Sequence, residues 1–358
     1  MVKRFVEIGG GPMGLVRMVV VVLALALAVV ACGDAASKIG NGGKALAKTT
    51  TTAAGSPGAT LQAQFVSVVK KVRPAVVLIE TSSGLGSGDI FDARGDIVTN
   101  HHVVGDSTTV KVTLSSGKSY QGKVLGSFQP DDLAVVRISA PNLKPLQFAR
   151  SSKLQVGQIA LAIGNPLGLT STVTEGIVSA LNRPVTEGQG TNAAIAQAIQ
   201  TSAAINPGNS GGALVDLSGR LIGIPTLAVS DPQLGGPAAG IGFAIPSDEV
   251  RDVANQIVKY GKVVKSNRAY MGVNVADTTG GQGVYVADVL PNTPAAKAGV
   301  AVGQVITSIA GKPTPTTTAL NTVLLGLKPG QTVKVTLLDP TTGAKKTVSL
   351  TLGSLTGS

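Results

Sequence analysis

"INPGNSGGAL", residues 205–214, sets one serine among a Pro, two Asn and three Gly residues within an apolar run. Glycine tolerates positive φ and lets other groups approach the main chain closely. Successive N–H groups in such a turn can point to one side and form an anion-binding nest. A serine whose hydroxyl and N–H share that nest can serve as a nucleophile beside an oxyanion hole. The same residues also suit a plain tight turn between two strands. The rest of the chain has to decide between the two.

The chain has 358 residues, room for two or three domains. Charged residues make up 14% and aromatics 3%, and Trp is absent, so the cores must be built from Val, Ile, Leu and Ala. With so few aromatics to stack on, the sequence argues against nucleic-acid binding of the stacking kind. The net charge of +11 is dispersed: +4 in residues 1–60, +4 in residues 267–358 and +3 between them. No basic run forms a nucleic-acid footprint. A single cysteine, Cys32, rules out an intrachain disulfide and a zinc site built on Cys. No metal site or cofactor is expected. The two histidines, His101 and His102, are adjacent.

Lys3, Arg4 and Arg17 precede "MVVVVLALALAVVAC", residues 18–32. A basic stretch followed by an apolar one has the form of a targeting signal. The apolar run would span about 21 Å as a helix, short of a ~30 Å hydrocarbon core. Cleavage therefore suits it better than spanning. Residues 33–60 are small and polar without hydrophobic period, and read as a flexible tether.

From Leu61 the pattern changes. Leu61, Phe65, Val68, Val69 and Val72 share one helical face. Short β-branched runs bounded by Gly, Asp and Asn follow, including "AVVLIET" (75–81), "DIVTN" (96–100), "LAVVRIS" (133–139) and "QIALAIG" (158–164). Many short strands with frequent turn signals predict an all-β barrel or sandwich. "PSDEVRDVANQIVKYGK" (246–262) predicts a helix with Ser247 as N-cap and Gly261 as its stop.

Two predicted strand ends hold the partners a catalytic serine needs. "IVTNHHVVGD" carries His101 and His102, and "PDDLAVVRI" carries Asp131 and Asp132. A serine hydroxyl attacks only when an imidazole takes its proton, and a carboxylate fixes that imidazole's tautomer. The chain order His, Asp, Ser is that of chymotrypsin-type enzymes.

These residues resemble the HtrA/Deg family of serine proteases over residues 61–358. "TNHHVV" (99–104) resembles its T-N-x-H-V motif, which implies His102 as the base. "DDLAVV" (131–136) resembles D-[IL]-A-[LV], which selects Asp132 and leaves Asp131 as a solvated turn residue. "GNSGGAL" (208–214) implies Ser210 as nucleophile, with the N–H groups of Gly208 and Ser210 as the oxyanion hole. The implied fold is mainly β, a chymotrypsin-like double β-barrel over residues 61–264. Substrate contacts are implied at Ala204, Ile205, Ile224 and Thr226; with no acid among them, small aliphatic side chains are expected at the cleavage site. Two departures bear on substrate preference: Ser202 stands where the family has Asp, and Pro225, which cannot donate to a ladder, where it tends to have Asn.

Residues 267–356 resemble a circularly permuted bacterial PDZ domain, with Tyr270, Met271, Gly272 and Val273 as its carboxylate loop and residues 316–327 as the helix beside the groove. Such a domain adds a C-terminal peptide to a sheet edge. "VVAC" (29–32) resembles a lipobox, which implies a signal over 1–32 and lipidation of Cys32; an uncleaved anchor and free secretion stay open.

The resemblance as a whole implies an extracytoplasmic, ATP-independent endopeptidase acting on unfolded or misfolded proteins. It also implies a homotrimer, for which Phe65 is the one aromatic at hand near the start of the protease part. No nucleotide-binding G-x-x-x-x-G-K-[ST] loop occurs. The alternative is a peptide-binding chaperone or adaptor with a latent protease domain.

Overall fold

The apolar face read from Leu61 to Val72 becomes the buried side of a helix, α1 (Pro57–Val72), with Val68 and Val72 in the core and Phe65 and Val69 packed partly against it. The computed structural model describes residues 57–82, 84–165, 172–186, 194–206, 208–231 and 236–357. The targeting stretch and Cys32 lie outside it. The helix begins four residues before Leu61, inside the stretch read as tether; a proline is well placed at a helix start because its missing N–H has no intrahelical partner there.

Six strands then close a first barrel: β1 (Val76–Glu80), β2 (Leu85–Ile90), β3 (Asp96–Thr99), β4 (Thr109–Thr113), β5 (Ser119–Phe128) and β6 (Leu133–Arg137). They are ordered β1-β2-β3-β6-β5-β4, all antiparallel. Its interior is Val77, Ile79, Ile90, Ile97, Val112 and Val136. Between β3 and β4 sits a one-turn helix, α2 (His101–Val104). The histidines thus lie on a helix rather than on a strand end.

The second sheet comprises β7 (Gln147–Phe148), β8 (Ile159–Gly164), β9 (Thr172–Thr186), β10 (Ala194–Thr201), β11 (Ala213–Val215), β12 (Arg220–Asp231) and β13 (Gly236–Pro246). Its order is β11-β8-β9-β10-β13-β12-β7, and β11 also pairs with β12, which closes six of the strands into a second barrel with β7 outside the ring.

Helix α3 (Ser247–Tyr260) follows, burying Val250, Val253, Ala254 and Ile257. Its N-cap is Pro246, which is extended; Ser247 is already helical and its hydroxyl donates to Ala149 O instead. Gly261 ends the helix in the left-handed conformation, φ 74°.

The remainder is a separate β-rich part with its own core of Met271, Val284, Val286, Ile306, Leu320, Val335 and Leu350. Two short strands, β14 (Ala269–Tyr270) and β21 (Gly353–Ser354), pair with each other. A six-stranded sheet holds β15 (Val273–Asp277), β16 (Val284–Val289), β17 (Val305–Ile309), β18 (Lys312–Pro313), β19 (Thr332–Leu338) and β20 (Lys345–Thr351). Helices α4 (Pro294–Lys297) and α5 (Thr317–Leu325) accompany it, α5 capped by the Thr316 hydroxyl accepting from Ala319 N–H.

Candidate active site

The first barrel supplies an acid and a base. Asp132 follows a 3-10 turn (Gln129–Asp131) and leads into β6 in the left-handed region, φ 51°, ψ 44°. Asp tolerates that region better than most residues. Its carbonyl accepts from His101 N–H at 3.1 Å and Asn100 Nδ2 at 3.0 Å, which ties the turn to the start of α2.

Its carboxylate, 1% exposed, is committed at both oxygens. Oδ1 accepts from His102 N–H at 2.9 Å; Oδ2 lies 2.8 Å from His102 Nδ1 and accepts from Thr226 Oγ1 at 2.8 Å. A carboxylate gripped this way favours the imidazole tautomer with its proton on Nδ1, leaving Nε2 basic. The His102 side chain is 28% exposed, so the ring is open on one side.

The second barrel supplies the glycine-rich turn between β10 and β11. Gly208 has φ 102° and Gly211 φ 80°. A Cβ on Gly211 would lie 2.2 Å from Ser87 O and 2.5 Å from Thr99 Oγ1, so only glycine fits. The turn is strapped to the first barrel by Ser87, a buried residue of β2. Its N–H donates to Ser210 O at 2.9 Å and its hydroxyl to Gly208 O at 2.6 Å. That hydroxyl also accepts from Asn165 N–H at 2.8 Å. Gly211 N–H donates to Pro225 O at 3.1 Å. Ser210 is half-buried. Among the described residues, the N–H groups of Gly208 and Ser210 meet no acceptor. An unpaired N–H pair beside a half-buried hydroxyl can receive a developing oxyanion.

The expected substrate contacts separate into two kinds. Ala204 is exposed, and its carbonyl accepts from Thr174 Oγ1 and Asn209 Nδ2. The side chains of Ile205 and Ile224 face the core instead and line no open pocket. Thr226 is buried against Asp132, so its hydroxyl serves the acid rather than a pocket. Ser202 accepts from Ile177 N–H at 3.0 Å, bracing β9 against the segment before the nucleophile turn. Ser87, Asn100 and the role of Thr226 escape a sequence reading, because each partner lies on another barrel or another strand.

Asp131 is not the solvated turn residue the sequence suggests. It is 4% exposed, bonded to Arg268 and beside Glu249. Burial pushes its carboxyl up, against the pull of the Arg268 charge.

In the C-terminal part, Gly272 has φ 85°, and a Cβ there would meet Thr293 at 2.2 Å. Its carbonyl accepts from Leu290 N–H at 3.0 Å. Tyr270 pairs with Gly353, Met271 is buried, and Val273 opens β15. The loop thus runs from one sheet into the edge strand of the next.

Comparison with known proteins matches these two parts separately. Residues 86–224 match the trypsin-like peptidase domain and residues 269–352 the PDZ domain. The solved HtrA-type protease AlgW with decapeptide is 32% identical, with a TM-score of 0.57, over 81% of this chain and 98% of that one. The chain belongs to the HtrA family of serine proteases. Among curated HtrA relatives, serine protease PepD of Mycobacterium tuberculosis is 41% identical over 80% of this chain, and periplasmic serine endoprotease DegP of Escherichia coli 47% over 66%. The matched segment spans 65% of the first and 50% of the second.

Proposed function

We propose that the chain is an ATP-independent serine endopeptidase of unfolded or misfolded proteins, working outside the cytoplasm. The observation that carries this is the doubly held Asp132–His102 pair in a fold that brings the glycine-rich Ser210 turn against the same barrel. In this reading Ser210 Oγ attacks the scissile carbonyl while His102 Nε2 takes its proton. The N–H groups of Gly208 and Ser210 receive the oxyanion. The imidazolium, stabilised by Asp132, then protonates the leaving amine, and a water activated by His102 hydrolyses the acyl-enzyme. Small aliphatic residues such as Val or Ala suit the cleavage site, since no carboxylate stands at Ala204, Ile205, Ile224 or Thr226 to receive a Lys or Arg.

The reading extends to the whole chain. Residues 1–32 act as a lipoprotein signal, 33–60 as a tether overlapping the start of α1, 61–264 as the protease domain and 267–356 as the PDZ domain. Tyr270, Met271, Gly272 and Val273 receive the carboxylate of a C-terminal peptide. The periplasmic relatives support the location, and the AlgW complex with a decapeptide supports peptide recognition. Lipidated Cys32 would hold the protein at the membrane, and three copies would assemble through the start of the protease part. Cys32→Ala should release the protein from the membrane fraction; unchanged fractionation would speak for an uncleaved anchor.

Casein degradation tests the activity. The wild-type protein should degrade it and Ser210→Ala should not. Equal, negligible rates with retained peptide binding would leave a peptide-holding chaperone or adaptor.

A further inference from the structure

Residues 263–268 run beside the C-terminal tail, stitched to it along their length. Gly357 N–H donates to Val263 O at 2.7 Å, Ser266 N–H to Ser354 Oγ at 2.8 Å and Leu355 N–H to Arg268 O at 3.0 Å. Val263 and Leu355 pack into the same core as α3 and Phe128, so this ribbon rests on the protease part. From it the Arg268 side chain, 12% exposed, reaches the 3-10 turn before Asp132. Its Nε donates to Asp131 Oδ1 and its Nη2 to Pro130 O. The guanidinium thereby holds one side chain and one carbonyl of the same turn, which a lysine's point charge cannot do in the same geometry.

The far side of Asp131 is closed by α3. Burial and the neighbouring Asp131 charge push Glu249 up to about 7. The two carboxyls face each other, and Asp131 Oδ2 and Glu249 Oε1 have no hydrogen-bond partner among the described residues. The Arg268 guanidinium is the one cation bonded to the pair among the described residues. Asn267 Nδ2 donates to the other Glu249 oxygen at 3.1 Å, and Asp252, further along α3, is the remaining charge that faces it. This cluster is built at the residue next to Asp132, and the proteolytic mechanism makes no use of it.

We propose that Arg268 is a positioning residue for proteolysis: by clamping Pro130 and Asp131 it fixes the turn that aims Asp132 at His102. The acid of the triad is then held correctly only when the segment leading into the C-terminal part is docked. Asp132 N–H donates to Gln129 O at 3.0 Å across this turn, so loosening the turn tilts the carboxylate away from the ring. This inference rests on the proteolytic reading, and its test has a readout that does not need turnover.

The full chain is compared with Arg268→Met, Arg268→Lys and the isosteric Asp131→Asn. With only two histidines in the sequence, the low-field proton signal of the His102 Nδ1–H can be assigned directly and reports the Asp132 contact even if no peptide is cleaved. In Arg268→Met that signal should broaden or vanish. On a fluorogenic peptide its kcat should fall about tenfold or more with KM nearly unchanged, as expected when a catalytic group is displaced by a fraction of an ångström. Arg268→Lys should recover part of both. If Arg268→Met fails to fold, Asp131→Asn decides in the same way. A wild-type His102 signal and wild-type kcat in the folded variants overturn the proposal. So does a kcat loss matched by a proportional loss of folded protein. If the wild-type chain cleaves nothing, the proteolytic reading fails, and an intact His102 signal in the variants still overturns the positioning role.

Discussion

Two buried aspartates, one on β2 and one just before β6, sit by strands that flank the same neighbour, β3, and they could hardly differ more. Asp89, on β2, is fully buried, and among the described residues neither of its oxygens has a hydrogen-bond partner. Burial pushes its carboxyl well above the usual range. Asp132, leading into β6, is equally removed from water, yet it accepts three hydrogen bonds at its two oxygens. Burial alone therefore does not mark a functional acid. The donors tell the two apart: the chain spends a helix N–H, a ring N–H and a threonine hydroxyl on one aspartate and none on the other.

The largest effect should separate the two sites outright. Asp132→Asn should lower kcat by about 10⁴, because the amide favours the wrong imidazole tautomer. Asp89→Asn should leave kcat as it is. Equal losses in steady-state assays would erase the distinction.

A smaller effect tests the donor count. Thr226→Val removes one of the three bonds to Asp132 and should lower kcat about tenfold, the size of one hydrogen bond to a charged group. A change in KM alone would return Thr226 to the substrate pocket.

The comparison then turns to stability. An acid whose folded pKa is raised lends most stability below its unfolded value, and that contribution is lost as pH rises. Asp89→Val should therefore stabilise the protein by about 1–3 kcal/mol near neutral pH and by less in acid, read from denaturant melts. Destabilisation at neutral pH would reveal a partner for Asp89.

Glu249 gives a second stability test of the same kind. Its carboxyl rises from an ordinary 4.5 to about 7, so the stability it contributes is present below 4.5 and fades as pH approaches 7. Glu249→Gln should flatten that part of the melting profile. An unchanged slope would mean the carboxyl titrates normally.

Local chemistry was legible from the sequence; distant partnerships were not. The glycines around Ser210, the adjacent histidines and the strand after Asp132 are each written in a few consecutive residues. The short β-branched runs point only to a barrel or sandwich; the double barrel comes from the family resemblance. Asp131 misled, because what buries it is Arg268, 137 positions away, together with α3. Strand β5 carries a weak apolar pattern, with Gly122 buried and Gly126 half-buried, and a Cβ on the latter would lie 2.4 Å from Gly261 O, where α3 ends. Strand β20 leaves a faint pattern because only Val348 and Leu350 turn inward. Ser247 looked like a cap, but the extended Pro246 before it took that place.

The most direct measurement is mass spectrometry of the protein after reaction with a fluorophosphonate. One adduct should form, on Ser210, and its rate of formation should collapse in His102→Ala. Labelling of another residue, or an unchanged rate without the imidazole, would contradict a serine activated by His102.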